Sequence, residues 1–139
     1  MRITGVTSTD LFGGTAARPL AIVRVTISGD GAGSGRPAAP VTVRVEGPAV
    51  TTPRPAVVTG PGPGQRLEVE VGVEVAAPHT PGGPLPVTAI AESRDAPRAE
   101  QAATITVAEP GWTMWMVSHF HYDPVWWSCL LYTSPSPRD

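Results

Sequence analysis

Lysine is absent from this chain, and cysteine occurs once, at Cys129. A single thiol excludes an internal disulfide, so whatever folds here is stabilised by burial and backbone pairing. The ten cationic residues are all arginine and stand against twelve acids, a formal net charge of -2. That balance gives no electrostatic basis for binding nucleic acid or an anionic membrane. The exclusive use of arginine reads as genomic base composition, not as function. No apolar run approaches the ~20 residues that a membrane helix needs. No basic head followed by an apolar core opens the sequence, so no signal peptide is expected and a cytoplasmic location is favoured. Aromatic residues are scarce, at 6% of the chain.

What remains is aliphatic and heavily punctuated. Apolar residues make up 41% and charged residues 16%, which excludes the low-hydrophobicity signature of disorder and suffices for one small core. Fifteen glycines and seventeen prolines make up roughly a quarter of the chain. Such spacing of breakers opposes long helices and fits short strands joined by tight loops.

The clearest periodicity is RLEVEVGVEV at 66–75, where Leu67, Val69, Val71, Val73 and Val75 alternate with Glu68, Glu70, Gly72 and Glu74. A period of two sends the aliphatics to one face and the acids to the other, as in a strand lying over a core with its back in water. Residues 20–28 (LAIVRVTIS) and 41–46 (VTVRVE) read as further β-branched strands, with shorter candidates at 3–7, 56–59, 87–92 and 102–107. The stretches 29–40, 60–64 and 78–86 are loops by composition. Short strands at this spacing predict an antiparallel immunoglobulin- or fibronectin-like β-sandwich, an accessory domain over residues 1–109.

After Gly111 the composition changes. Residues 112–118 (WTMWMVS) are almost wholly apolar without alternation, which suits a strand buried on both faces in a parallel sheet. A polar cluster follows at once, and α/β folds gather their sites at the carboxyl ends of parallel strands. Residues 110–127 are therefore expected to open a second, α/β domain.

In HFHYDPVWW, His119, His121 and Asp123 stand at alternate positions. On an extended backbone all three side chains leave on one side. Imidazole and carboxylate suit zinc and similar divalent ions. Pro124 denies the chain a ladder hydrogen bond and ends the strand. Trp126 then offers a flat surface on which the C–H face of a sugar can stack while its hydroxyls meet a metal. The competing reading is a set of hydrogen-bonded structural histidines beside an apolar strand.

The longer string VSHFHYDPVW, residues 117–126, resembles the opening of the catalytic domain of the glycoside hydrolase family 38 α-mannosidases. That family shows His-x-His-x-Asp-Pro-x-Trp at the end of its first barrel strand, and every fixed position is present here. Tyr122 and Val125 stand where many members carry Asn and Gly. The match spans about a dozen residues of uncommon types at fixed spacing. The resemblance implies that His121 and Asp123 are zinc ligands, that Trp126 lines the sugar subsite, and that His119 orients the loop or supports the ligands. Trp127, outside the fixed pattern, is expected to pack. The resemblance further implies a retaining, exo-acting enzyme on terminal α-mannosides. There one carboxylate attacks the anomeric carbon, a second carboxyl acts as acid and then base, and zinc holds sugar hydroxyls while the ring distorts. The family's nucleophile, acid/base and remaining zinc ligands come later than this segment. The fold expected is thus mainly β, a sandwich followed by the first strand of a truncated (β/α) barrel, and the 139-residue chain is expected to be inactive.

Two rivals stand beside this reading. An amidohydrolase-like metallohydrolase would use His119 and His121 together and need further ligands downstream; a metallo-β-lactamase-like site is disfavoured by Pro124. A non-catalytic sandwich binding module would make the aromatic segment incidental. Residues 128–139 (SCLLYTSPSPRD) resist the helix expected there and read as a non-native terminus. Elsewhere, His79 is expected in solvent, Glu68, Glu70 and Glu74 form an exposed row, and Arg24 and Arg44 face outward. Asp10 and Asp30 fit turns beside glycines. The glycines at 29–35 lack the strand-to-helix setting of a phosphate loop.

Overall fold

A computed structural model describes residues 1–30 and 39–108. Eight strands account for most of them: β1 (Arg2–Thr15), β2 (Arg18–Ser28), β3 (Pro40–Glu46), β4 (Val50–Thr51), β5 (Ala56–Thr59), β6 (Arg66–Val75), β7 (Pro84–Ser93) and β8 (Ala96–Thr106). They form two four-stranded sheets, ordered β1-β2-β6-β4 and β5-β3-β7-β8, with every strand pair antiparallel. Among the described residues there is no helix. The result is a mainly-β sandwich, as the alternating sequence predicts.

The alternation of β6 is realised residue by residue. Val69, Val71 and Val73 are buried, whereas Glu68 and Glu70 are exposed. β2 lies in register beside it, with Val25 opposite Val69 and Val23 opposite Val71, so both strands turn their valines inward together. The second sheet answers with Val41, Val43 and Val45 of β3 and with Val87, Ala89 and Ala91 of β7. The core is almost wholly aliphatic. Phe12 is the only aromatic in residues 1–108, and it packs at the margin.

Besides β8, which begins at Ala96 and not at the expected 102, three features depart from the sequence reading. First, β1 runs from Arg2 to Thr15, well beyond the expected 3–7. Its register jumps between Ser8, opposite Val23, and Phe12, opposite Ala21. Three residues of β1 therefore face one of β2, a bulge that erases the period of two. Asp10, expected in a turn, lies in this bulge. Thr9 Oγ1 stitches it, donating to Ile22 O at 2.6 Å. The bulge also brings Ser8 to the other sheet, where its Oγ accepts from Thr106 N at 2.8 Å. Both edges at that side are thereby tied. Second, residues 84–86, taken as loop for their two prolines, begin β7. This is the first stretch of a strand, where a missing ladder donor is tolerated. Third, β4 is only two residues long and leaves no periodic trace. Thr52 compensates for its brevity: its hydroxyl donates to Val45 O at 2.7 Å and accepts from Val45 N at 2.8 Å.

Two glycines are required by this geometry. Gly14, in the β1–β2 hairpin, adopts φ +80°. At Gly47, a Cβ would lie 2.4 Å from the carbonyl oxygen of Pro86, so only glycine allows the chain to leave β3 so close to β7.

Arg24 and Arg44 do face outward, and each finds an acid on a neighbouring strand, Arg44 also one on its own strand. Arg24 meets Glu68 at 3.6 Å and Glu70 at 3.3 Å. Arg44 is held more closely, with Nε 2.9 Å from Glu46 and NH1 2.6 Å from Glu92; Arg98 bridges Glu92 and Glu100. Ile90 sits between Arg44 and Glu100 in the ladder and is only 4% exposed although it points away from the core. The hydrogen bond from Arg44 lowers the Glu92 carboxyl below its ordinary range, outweighing desolvation, and attraction to Arg44 and Arg98 adds to the effect. A depressed carboxylate contributes stability that is whole above the unfolded-state value, about 4.3, and is lost as pH falls through the folded-state value. Urea midpoints are therefore expected to drop on acidification through and below about pH 4. They should drop less in Arg44→Met, and equal acid sensitivity would show that this pair is not responsible.

Candidate functional site

The residues singled out for chemistry, His119, His121, Asp123 and Trp126, all lie outside the described residues, as do Trp127 and the 128–139 tail. Among the described residues, no group of three or more His, Cys, Asp or Glu side chains could hold a metal ion. The acids of β6 confirm why. Glu68 and Glu70 stand on the solvent face with side chains 63% and 55% exposed, and arginine already lies beside both.

Strand endings build concavities at more than one place among the described residues; one of about 110 Å³ is lined by Met1, Ala39, Val41, Gly60, Ser93 and Ala96, and two others adjoin at another end of the sandwich. There the β1–β2 hairpin, the β3–β4 turn, the end of β6 and the exit of β8 converge. A groove of about 410 Å³ is lined by Arg18, Pro19, Pro48, Ala49, Thr51 and Glu74, with Val75 and Ala76 at its wall. A smaller pocket of about 80 Å³ adjoins it through Pro19 and Val75, with Phe12, Ala21, Val73, His79 and Val107 completing its lining.

His79 is the residue that the sequence reading misplaced. Its Pro/Gly setting predicts a solvated side chain, yet it is partly buried, and its Nε2 is sealed from solvent with no hydrogen-bond partner. The reason lies in the loop. Ala76 N donates to Ala49 O at 2.9 Å, Gly83 N to Thr80 O at 2.8 Å, and Gly82 N to Val107 O at 2.9 Å. These bonds fold the β6–β7 connection over the end of the sheets and turn His79 against Phe12 and Val73. A buried polar atom left without a partner costs on the order of 1–3 kcal/mol.

No protein-family model matches the chain, and no curated protein matches it.

Proposed function

We propose that this chain is the N-terminal part of a zinc-dependent, retaining α-mannosidase. In this reading an immunoglobulin- or fibronectin-like sandwich precedes the first strand of a (β/α) barrel. The observation that carries it is the string HFHYDPVW at 119–126: two imidazoles, a carboxylate, a strand-ending proline and a tryptophan at the spacing of that family. The strand order supports the sandwich type. Pairing of β2 with β6 in one sheet and of β3, β7 and β8 in the other follows the B–E and C–F–G relations of immunoglobulin-type domains. The position of the string also supports the reading. The last strand among the described residues ends at Thr106, so an apolar segment and a polar cluster follow in sequence within a dozen or so residues of it.

His121 and Asp123 would hold the ion, with further ligands from later sequence, since catalytic zinc sites keep about three protein ligands and an open position. When bound, zinc supplies Lewis-acid polarisation of the oxygens it contacts. Trp126 would take the apolar face of the sugar, and His119 would orient the two ligands through a hydrogen bond.

The experiment reads the encoded sequence past the codon for Trp127 and assays the protein it specifies on an aryl α-mannoside. The expected result is further His and Asp ligands, two carboxylates in strand-end positions, and release of mannose with retained anomeric configuration. The 139-residue chain alone is expected to release none. A continuation without those ligands, or turnover by the short chain, overturns the proposal. Hydrolysis of an amide in place of the mannoside would transfer the site to the amidohydrolase reading.

A further inference from the structure

We propose that the open edge of β6 docks one extended segment of a partner protein, a strand in which arginine or lysine alternates with aliphatic residues. The margins of the sandwich are not alike. On one side β1 is bulged and tied to β8 through Ser8 and Thr106, and β8 carries Pro97. On the other side β5 is only four residues long and follows Pro53 and Pro55. β6 differs from all of these. It pairs with β2 from Arg66 to Val73 without a register shift and contains no proline, yet β4 reaches only Glu74 and Val75 on its far side. Among the described residues, no strand covers the rest of that side.

Two bonds fix which backbone groups face the opening. Ala76 N donates to Ala49 O at 2.9 Å, toward the β4 side, and Gly29 N donates to Gln65 O at 3.1 Å, on the β2 side. Backbone polar groups of an extended chain alternate sides from residue to residue. The even-numbered residues therefore turn to the opening, where Glu68, Glu70 and Gly72 each present an N–H and a C=O. Such a row is a template for an added strand.

The side chains select the occupant. Toward the core, half-buried Leu67 of β6 and half-buried Ala56 and Val58 of β5 lie at the core margin on this side, and aliphatic residues on the inner face of an added strand would cover them. Toward solvent, Glu68 and Glu70 share the single guanidinium of Arg24, which reaches both from the β2 side at 3.6 and 3.3 Å. Each carboxylate thus keeps its open-edge side for a second cation, directly across from it in the added strand. A second copy of the chain fits less well. In the antiparallel registers that pair most of this edge with itself, Glu68 and Glu70 fall opposite each other, themselves or Gly72, and like charges directly opposed are destabilising. This docking is independent of the mannosidase reading, since every residue it uses lies in the sandwich.

The test adds the peptide acetyl-Val-Arg-Val-Arg-Val-Arg-Val-amide to the 139-residue chain labelled with 15N. The amides of Glu68, Glu70 and Gly72 are expected to shift and to exchange at least ~10-fold more slowly, while those of Val69 and Val71, which face β2, change little. The same peptide with glutamate in place of arginine is expected to give no protection, and so is one of identical composition with its three arginines adjacent. Glu70→Arg is expected to weaken the arginine peptide and to admit the glutamate one; should that variant fail to fold, the three peptides on the wild-type chain decide. Unchanged exchange at those three amides in ~1 mM arginine peptide overturns the proposal. So does equal protection by the adjacent-arginine or the glutamate peptide, which would make the binding indifferent to register or to charge. Protection without any peptide also overturns it, assigning the edge to a second copy if it grows with protein concentration and to the chain itself if it does not.

Discussion

Ile27→Ala is expected to destabilise the sandwich by about 2–5 kcal/mol, the range for aliphatic-to-alanine changes in a closed core. For a domain of this size that lowers the melting temperature by on the order of 15 °C. Ile27 is 0% exposed on β2, lies between Ile3 of β1 and Leu67 of β6, and faces the valines of the opposite sheet. The buried residues around it make the upper part of that range the expected one: they are mostly valines and alanines with Ile3, stiff or short, and the longer Met1 and Leu67 pack only at the margin of the core. The cavity therefore stays open, and the lost contacts are not recovered. Val57→Ala is the control. Val57 is 67% exposed on the edge strand β5, and its loss is expected to shift stability by no more than about 0.5 kcal/mol. Far-UV circular dichroism in urea measures both, since residues 1–108 contain no tryptophan. Equal costs for the two variants would mean that the two sheets do not share one close-packed core.

The valine alternation of 66–75 was enough to announce a strand, its inner face and its solvent face, because a side-chain period of two has one structural meaning. β2, β3, β5 and β7 followed from shorter versions of the same pattern, whereas of β8 only the half from Ala102 was expected and Ala96 to Gln101 was not. The signal failed where the backbone breaks the period. Three residues of β1 oppose one of β2 between Ser8 and Phe12, so the strand was expected over 3–7 alone although it continues to Thr15. At β4, two residues flanked by turns are too few to show any period. The outward arginines were legible, but their partners were not. Arg24 finds Glu70 because the β2–β6 register sets those residues opposite each other, and register is a property of two segments at once. His79 failed for the same reason in another form. Proline and glycine around it specify local backbone, whereas the burial of Nε2 comes from bonds to Ala49 and Val107, distant in sequence. The cluster at 119–123, expected from its spacing to bind a metal, lies outside the described residues.

In a protein that carries this chain through a complete catalytic domain, His121→Ala and Asp123→Ala are each expected to abolish stoichiometric zinc. Each should also lower kcat/KM on an aryl α-mannoside by at least ~10³-fold. The magnitude follows from what a bound ion supplies to charge development, several kcal/mol, at about 1.4 kcal/mol per factor of ten. The position dependence is the sharper part of the prediction. If the backbone is extended through this stretch, residues 119, 121 and 123 share one side and residues 120 and 122 the other. Tyr122→Phe, adjacent in sequence to both ligands, is then expected to keep full zinc and nearly full activity. His119→Ala is expected to fall between, with zinc held some 10–100-fold more weakly, as for a residue that orients a ligand without touching the ion. Trp126→Ala should leave zinc bound and raise KM more than it lowers kcat, since stacking on the sugar face acts on the bound ground state as well as on the transition state. Metal content by atomic emission separates these cases independently of turnover. Retention of zinc by both His121→Ala and Asp123→Ala would remove the cluster from the metal site. Loss of zinc in Tyr122→Phe would show that the segment is not extended, and the spacing argument would go with it.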